Sequence, residues 1–349
     1  MRAYQIQGPG VVQEVSVPVP EIKDDECLVR VVYSGICATD YEILGGEMTL
    51  VKEGKIRYPV RFGHEWSGVV EKVGSKVTEF KVGDHVLSDP GVTCGRCQAC
   101  LEGRWADCQE TKSVGTVNCW DGSFAEYMYF PQRHLFKLPP ELDMMEASLI
   151  EPSCISLVGL KKAQSLKGKT VVIVGTGAIG MTGTAMARHF EPAKVILVGR
   201  TDAKLEIGKQ LGADVTINVT RENLAQRIAE ETDGLGAEFV LETSGNLQTV
   251  SQCVDLVRRG GDAVFIGFYD RPVDQFPIDA VVSRELRVSG VMGKFGLPAE
   301  VISILEKDKI NLRPIITHVI DFDDVPMAMT NPGQLEGTRI KIVAKVSDL

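Results

Sequence analysis

The sequence predicts an α/β protein in which a doubly wound parallel sheet is joined to a second, mostly β domain. Three observations carry this. Short apolar runs alternate with helical stretches between residues 169 and 266. A Gly-x-Gly-x-x-Gly turn follows the first of those runs and opens a helix. The residues before that region read instead as β-branched strands broken by tight turns.

Composition agrees with two domains and narrows the partners. The chain has 349 residues, 44% hydrophobic and 24% charged, which is a folded composition too long for one small core. Lys and Arg number 38 against 47 Asp and Glu, a net charge of −9. Such a surface repels phosphate polymers and anionic lipid, so neither nucleic acid nor a membrane is expected as a partner. No apolar run approaches the ~20 residues of a bilayer span. The opening Met1-Arg2-Ala3-Tyr4-Gln5-Ile6 carries no apolar stretch of a secretory signal, and a cytoplasmic protein is expected.

Taken in order, residues 27–33 and 68–74 are strands bounded by Gly, Pro and Asp, and Gly83-Asp84 and Asp121-Gly122 are turns. Residues 169–174 form a run buried on both faces of a parallel sheet, followed by a helix over 178–190. Further strands are expected at 194–198, 215–217, 238–241 and 262–266, and residues 339–345 form one more. The expected domains are a β-rich catalytic domain at 1–153, a dinucleotide-binding domain at 154–294, and a return to the first domain at 295–349.

The turn Gly175-Thr176-Gly177-Ala178-Ile179-Gly180 has the strand before it and helix after it that a pyrophosphate site requires. Its glycines let backbone approach the phosphates, which the helix N-terminus then stabilises. Gly183, Ala185 and Ala187 beyond it allow close packing of helix on sheet. The second strand ends Val198-Gly199-Arg200-Thr201, with no carboxylate at the usual ribose position. Arg200 and Thr201 are donors suited to a 2′-phosphate, so NADP is preferred over NAD, which stays possible. The competing arrangement stacks Arg200 on adenine and turns Asp202 toward the ribose.

The nine cysteines are Cys27, Cys37, Cys94, Cys97, Cys100, Cys108, Cys119, Cys154 and Cys253. An odd number without an export signal argues against a disulfide framework. Cys94, Cys97, Cys100 and Cys108 lie in one loop, and four thiolates make a closed, structural zinc site with no corner left for substrate. An iron–sulfur cluster is the alternative for four cysteines. A second set is dispersed. Cys37, His64 and Glu151 each have an ordinary reading as packed or helix-end residues. Jointly they supply a thiolate, an imidazole and a carboxylate, three ligands that leave a fourth zinc position open. Cys154 competes with Glu151.

The Gly-His-Glu motif at 63–65, the four cysteines, Glu151-Pro152 and the glycine turn stand in the order and spacing of the zinc-dependent medium-chain dehydrogenase/reductase family, which the chain resembles over essentially its whole length. Glutamate rather than cysteine at the third ligand position resembles the polyol and sugar dehydrogenase branch. The resemblance implies a GroES-like catalytic domain, a Rossmann domain, two zinc ions per chain and a dimer or tetramer. It implies hydride transfer between a secondary hydroxyl of a polyol, sugar or sugar derivative and the cofactor.

In that reading Thr39 passes the hydroxyl proton onward, and Asp40 accepts the His64 ring N–H. Glu65 is either a direct ligand or a carboxylate beside the ligands. Thr243, Ile266 and Arg339 match positions that line the cofactor. Sorbitol-type relatives carry an Arg-Tyr pair where this chain has Gly293-Lys294, which makes Lys294 either a candidate for an anionic substrate group or a solvated surface lysine. Trp66, Tyr41 and Trp120 are candidates either to pack on a sugar face or to fill the core. A retired, zinc-stabilised binding protein and a cofactor-using epimerase are the competing functions.

Overall fold

The computed structural model describes residues 1–269 and 271–349, and the chain divides into two compact units.

The first unit holds Met1–Glu151, Lys294–Ile302 and Ile316–Leu349. Its main sheet runs in the order Ile316–Asp321, Lys341–Lys345, Glu26–Ile36, Glu65–Val73, His85–Ser88, Leu135–Lys137, and Tyr127–Pro131 also pairs with Glu26–Ile36. The central strand Glu26–Ile36 is buried along its length except at Arg30 and Tyr33, as its β-branched composition requires of a strand covered on both faces. The core beside it is aromatic. Phe62 and Phe124 lie 4.6 Å apart, and Trp66 stacks on Phe130 at 5.3 Å. Trp66 is therefore a core residue, 2% exposed, and not a platform for a sugar.

Register decides what this sheet brings together. Gly35 of the central strand pairs with Glu65, and Ile36 pairs with Ile342. The chain leaving the central strand at Cys37, the start of the strand at Glu65 and the start of the strand at Lys341 thus meet at one end of the sheet. Gly35 is required there, since a Cβ would lie 2.8 Å from Glu65 Oε2.

The second unit holds Pro152–Gly293 and Ser303–Ile315. Six parallel strands run in the order Val215–Asn218, Lys194–Gly199, Thr170–Val174, Ala237–Glu242, Val257–Phe265, Arg287–Gly290. Strand order reverses between Thr170–Val174 and Ala237–Glu242, the switch point of a doubly wound sheet, outside whose carboxyl ends ligands bind. The helix Ala178–Ala187 is buried from Gly180 onward, because its small residues let it lie close to the sheet. Near the end of this unit His189 and Asp308 are joined at 2.5 Å. No helix among the described residues is long and apolar enough to cross a membrane.

Candidate metal and cofactor sites

Cys37 is the N-cap of the helix Ala38–Gly45, and the Asp40 carboxylate closes that cap by accepting the Cys37 N–H at 2.9 Å. The cap aims the Cys37 thiol at His64 and Glu65, and the ligand atoms of these three residues all lie within 4.8 Å of one another. Burial comes first in raising the Cys37 thiol, and the neighbouring Glu65 charge adds to it. Burial opposes a charge on the His64 ring, but Cys37, Asp40 and Glu151 around it hold its pKa well above the ordinary imidazole value.

Glu151 opens the helix Ile150–Leu160 beside this group, although it is not part of the closest cluster. Desolvation pushes its carboxyl up to about 7, outweighing the attraction of His64. Asp40 is fully buried, and its Oδ1 faces His64 Nδ1 at 3.9 Å, too far for a hydrogen bond. Both atoms lack a partner among the described residues. Thr39 lies half-buried in the first turn of the same helix. Sulfur, nitrogen and carboxylate donors with two orphaned polar atoms behind them are the donor set and unmet need of a zinc site.

One residue here escaped the sequence reading. Lys341 is 3% exposed, donates to the Ile36 carbonyl at 3.0 Å, and forms an ion pair with Glu65. Its only signal was a lysine placed inside an apolar strand, 276 residues from its partner. Burial works against its charge, and Glu65 restores it.

The four-cysteine loop closes on itself. Cys97 Sγ is 3.4 Å and Cys94 Sγ 3.8 Å from Cys100 Sγ, and the Cys97 N–H donates to Cys94 Sγ at 3.4 Å. All four thiols are free, and their ligand atoms form a second group within 4.8 Å. Backbone N–H groups turned toward Cys94 lower its thiol, which favours the thiolate a metal binds. Trp105 of this loop, with Asp89 and His134 outside it, holds the segment bearing Lys294. Asp89 Oδ1 accepts the Gly296 N–H at 2.7 Å while its Oδ2 meets His134 Nδ1 at 3.2 Å, and the Phe295 ring packs against His134 and Trp105.

In the second unit the glycine turn sits at the carboxyl end of Thr170–Val174. Gly175 has φ +120°, and a Cβ there would lie 2.5 Å from Thr243 Oγ1, so both conformation and space demand glycine. Gly177 caps the helix that carries Ile179 and Gly180, leaving the helix N–H groups facing the turn. Thr243 abuts this turn and donates to the Val174 carbonyl at 2.9 Å. Arg200 and Thr201 are exposed at the end of the neighbouring strand. Asp202 does not turn toward a ribose position unencumbered. Arg221 grips both its oxygens at 2.7 Å and Asn218 donates to it at 2.8 Å.

Residues 23–140 match the alcohol dehydrogenase GroES-like domain, and residues 178–307 match the zinc-binding dehydrogenase domain. D-xylulose reductase A from Aspergillus oryzae is 33% identical over 336 residues, covering 93% of this chain and 92% of that one. The chain belongs to the zinc-type alcohol and polyol dehydrogenases.

Two solved structures extend the likeness of this zinc-type dehydrogenase. A zinc-binding dehydrogenase from Sinorhizobium meliloti, bound to NADP, is 29% identical with a TM-score of 0.89 over 99% of each chain. An Escherichia coli alcohol dehydrogenase complexed with NADH is 27% identical with a TM-score of 0.88, again over 99% of each. The GroES-like and Rossmann-like folds expected from the resemblance are the folds observed.

The remaining sequence candidates fall as follows. Ile266 follows the strand Val257–Phe265, and its side chain reaches Gly159. Arg339 lies in the first unit, where its guanidinium donates to the Pro332 carbonyl. Lys294 is exposed. Tyr41 donates to the Ala328 carbonyl at 3.0 Å, and Trp120 to the Tyr129 carbonyl at 2.9 Å. Cys154 is buried, 3% exposed, and stands apart from the close ligand group.

Proposed function

We propose that this zinc-type dehydrogenase moves a hydride between a secondary hydroxyl of a polyol, sugar or sugar derivative and a nicotinamide cofactor, with NADP preferred. The observation that carries the reading is the convergence of Cys37, His64 and Glu65, with Glu151 beside them, at one end of the catalytic sheet. Cys37, His64 and Glu151 are the residues that hold the catalytic zinc. Glu65 is already neutralised by Lys341, whereas the half-buried Glu151 carboxyl is raised mainly by desolvation, which a bound cation would offset. When bound, the ion supplies Lewis acidity toward the substrate oxygen.

The chain's own residues do the rest. Asp40 fixes the His64 ring by accepting from Nδ1 once the ring is drawn into place, which leaves the other ring nitrogen as ligand. Thr39, two residues from Cys37, takes the hydroxyl proton at its Oγ1 and hands it outward. Cys94, Cys97, Cys100 and Cys108 hold a second zinc that is structural.

Gly175, Gly177, Ile179 and Gly180, with Thr243 and Ile266 of the same unit, would hold the cofactor. Arg200 and Thr201 face the 2′-phosphate, and the pairing of Asp202 with Arg221 and Asn218 supports this, because it neutralises the nearest acid. Lys294 meets an anionic group of the substrate. The likeness to a D-xylulose reductase supports a polyol or ketose as the substrate.

A panel of polyols, sugars, sugar acids and sugar phosphates, each with NAD and NADP and with zinc counted per chain, tests this reading. Net change in nicotinamide absorbance with one substrate class and two zinc ions per chain is expected. Product formation with no net absorbance change would favour the epimerase instead.

A further inference from the structure

The sheet of the second unit contains a buried acid that the reaction does not use. Glu242 ends the strand Ala237–Glu242, is 0% exposed, and pairs in register with Val174 on one side and Phe265 on the other. Those three residues are the last rung before the loops at the switch point, where a doubly wound sheet binds its ligand. Apolar residues occupy the two flanking positions. Burying a carboxylate between them is costly unless its oxygens are satisfied.

They are satisfied by the loop and helix that follow this strand and by the loop that follows the neighbouring strand. Oε1 accepts the Ser244 N–H at 2.8 Å, the Ser244 hydroxyl, and the Thr249 hydroxyl at 2.9 Å. Oε2 accepts the Tyr269 hydroxyl at 2.5 Å and the Gly245 N–H at 3.3 Å. The first loop, residues 243–246, abuts the glycine turn through Thr243, and Ser244 N would lie 3.0 Å from a Cβ on Gly175. The second loop follows the strand Val257–Phe265, and its Gly267 approaches Gly245 so closely that a Cβ would lie 2.6 Å from Gly245 Cα. Such a carboxylate has no lone pair left over for a ligand. It acts only by holding its neighbours.

We propose that Glu242 is a positioning residue for the nicotinamide cofactor. Its carboxylate staples the 243–246 and 266–269 loops to each other, with Tyr269 as the catch on the second loop, and so sets the cofactor-facing surface beside the glycine turn. This rests on the dinucleotide reading of that turn. A staple between loops matters to binding because loops ordered in advance spare the cofactor the entropy of ordering them.

The test is cofactor binding without any alcohol, read by NADPH and NADH fluorescence titration on the zinc-loaded protein. Tyr269→Phe and Thr249→Val each remove one donor and leave the strand intact. Each is expected to weaken NADPH binding about tenfold, the effect of losing one charge-assisted hydrogen bond, and to lower melting temperature as well, since the buried carboxylate loses a donor in the free protein too. Turnover at saturating cofactor should change far less than the cofactor KM. In a Glu242→Gln background Tyr269→Phe should add little, because the two residues share one interaction. Unchanged cofactor affinity in both single variants overturns the proposal whatever happens to melting temperature, as does full additivity in the double variant. A wild-type chain that binds neither nucleotide would instead overturn the dinucleotide reading, and this proposal with it.

Discussion

Lys341 and Glu65 form an ion pair, both nearly inaccessible, at the mouth of the central sheet where Cys37 and His64 meet. The pair keeps one carboxylate oxygen occupied within ligand distance of the metal group. Removing the cation alone leaves a buried, unpaired carboxylate, which costs about 3–5 kcal/mol. Lys341→Met should therefore lower the denaturation midpoint sharply, and adding Glu65→Gln should recover much of the loss. Equal midpoints for the single and double variants in urea would show that the pairing does not control stability.

Glu151→Ala should abolish turnover while far-UV circular dichroism and the lobe zinc stay unchanged. The residues proposed to hold the catalytic metal are fastened by the sheet, the Cys37 cap and the helix Ile150–Leu160, so losing the metal should not unfold them. Zinc should fall from two ions to one per chain. A variant keeping full turnover would remove Glu151 from the ligand set.

The same carboxyl makes a prediction about pH. In metal-free protein desolvation pushes its carboxyl up to about 7 from the ordinary 4.5, so the folded chain keeps a proton that the unfolded chain releases. Its contribution to stability is fully present below 4.5 and is lost as pH rises through about 7. Glu151→Gln should flatten that fall. Melting curves of chelator-stripped wild type and variant across this window check it, and parallel curves would contradict it.

Arg200→Ala should weaken NADP binding by about 1.5–3 kcal/mol, the range for a hydrogen bond to a charged group, and leave NAD nearly untouched. Calorimetric titration with both nucleotides separates the outcomes. Equal losses would place Arg200 away from the 2′-phosphate.

Cys97→Ser should cost the lobe its metal and lower melting temperature. It should also loosen the neighbouring segment, because Phe295 rests on Trp105 within the lobe and Gly296 N–H is held by Asp89. Hydrogen exchange at the Gly296 amide is expected to quicken. Unaltered exchange with the metal gone would show the segment to be held independently.

Local pattern explains what was readable in advance. The run ending at Val174 and the glycine turn after it need only neighbours in sequence, so strand, turn and helix were legible together. Cys94, Cys97, Cys100 and Cys108 were legible for the same reason. Their spacing is short enough for one loop to bring four sulfurs together. Between its two open readings Trp66 could not be decided in advance, because an aromatic residue near a metal motif carries no sign of which face of its strand it occupies, and register with the central strand turned it inward.

From the residues alone came the two chemistries, a metal held by soft and imidazole donors and a dinucleotide held by backbone, since both follow from residue type and short spacing. Folding decided which charges are answered. Lys341 reaches Glu65, and Tyr269 reaches Glu242, only because strand pairing aligns their ends. A sheet joins positions hundreds of residues apart, and the energy of a buried charge depends on what stands within a few ångströms of it, a distance that order along the chain does not contain.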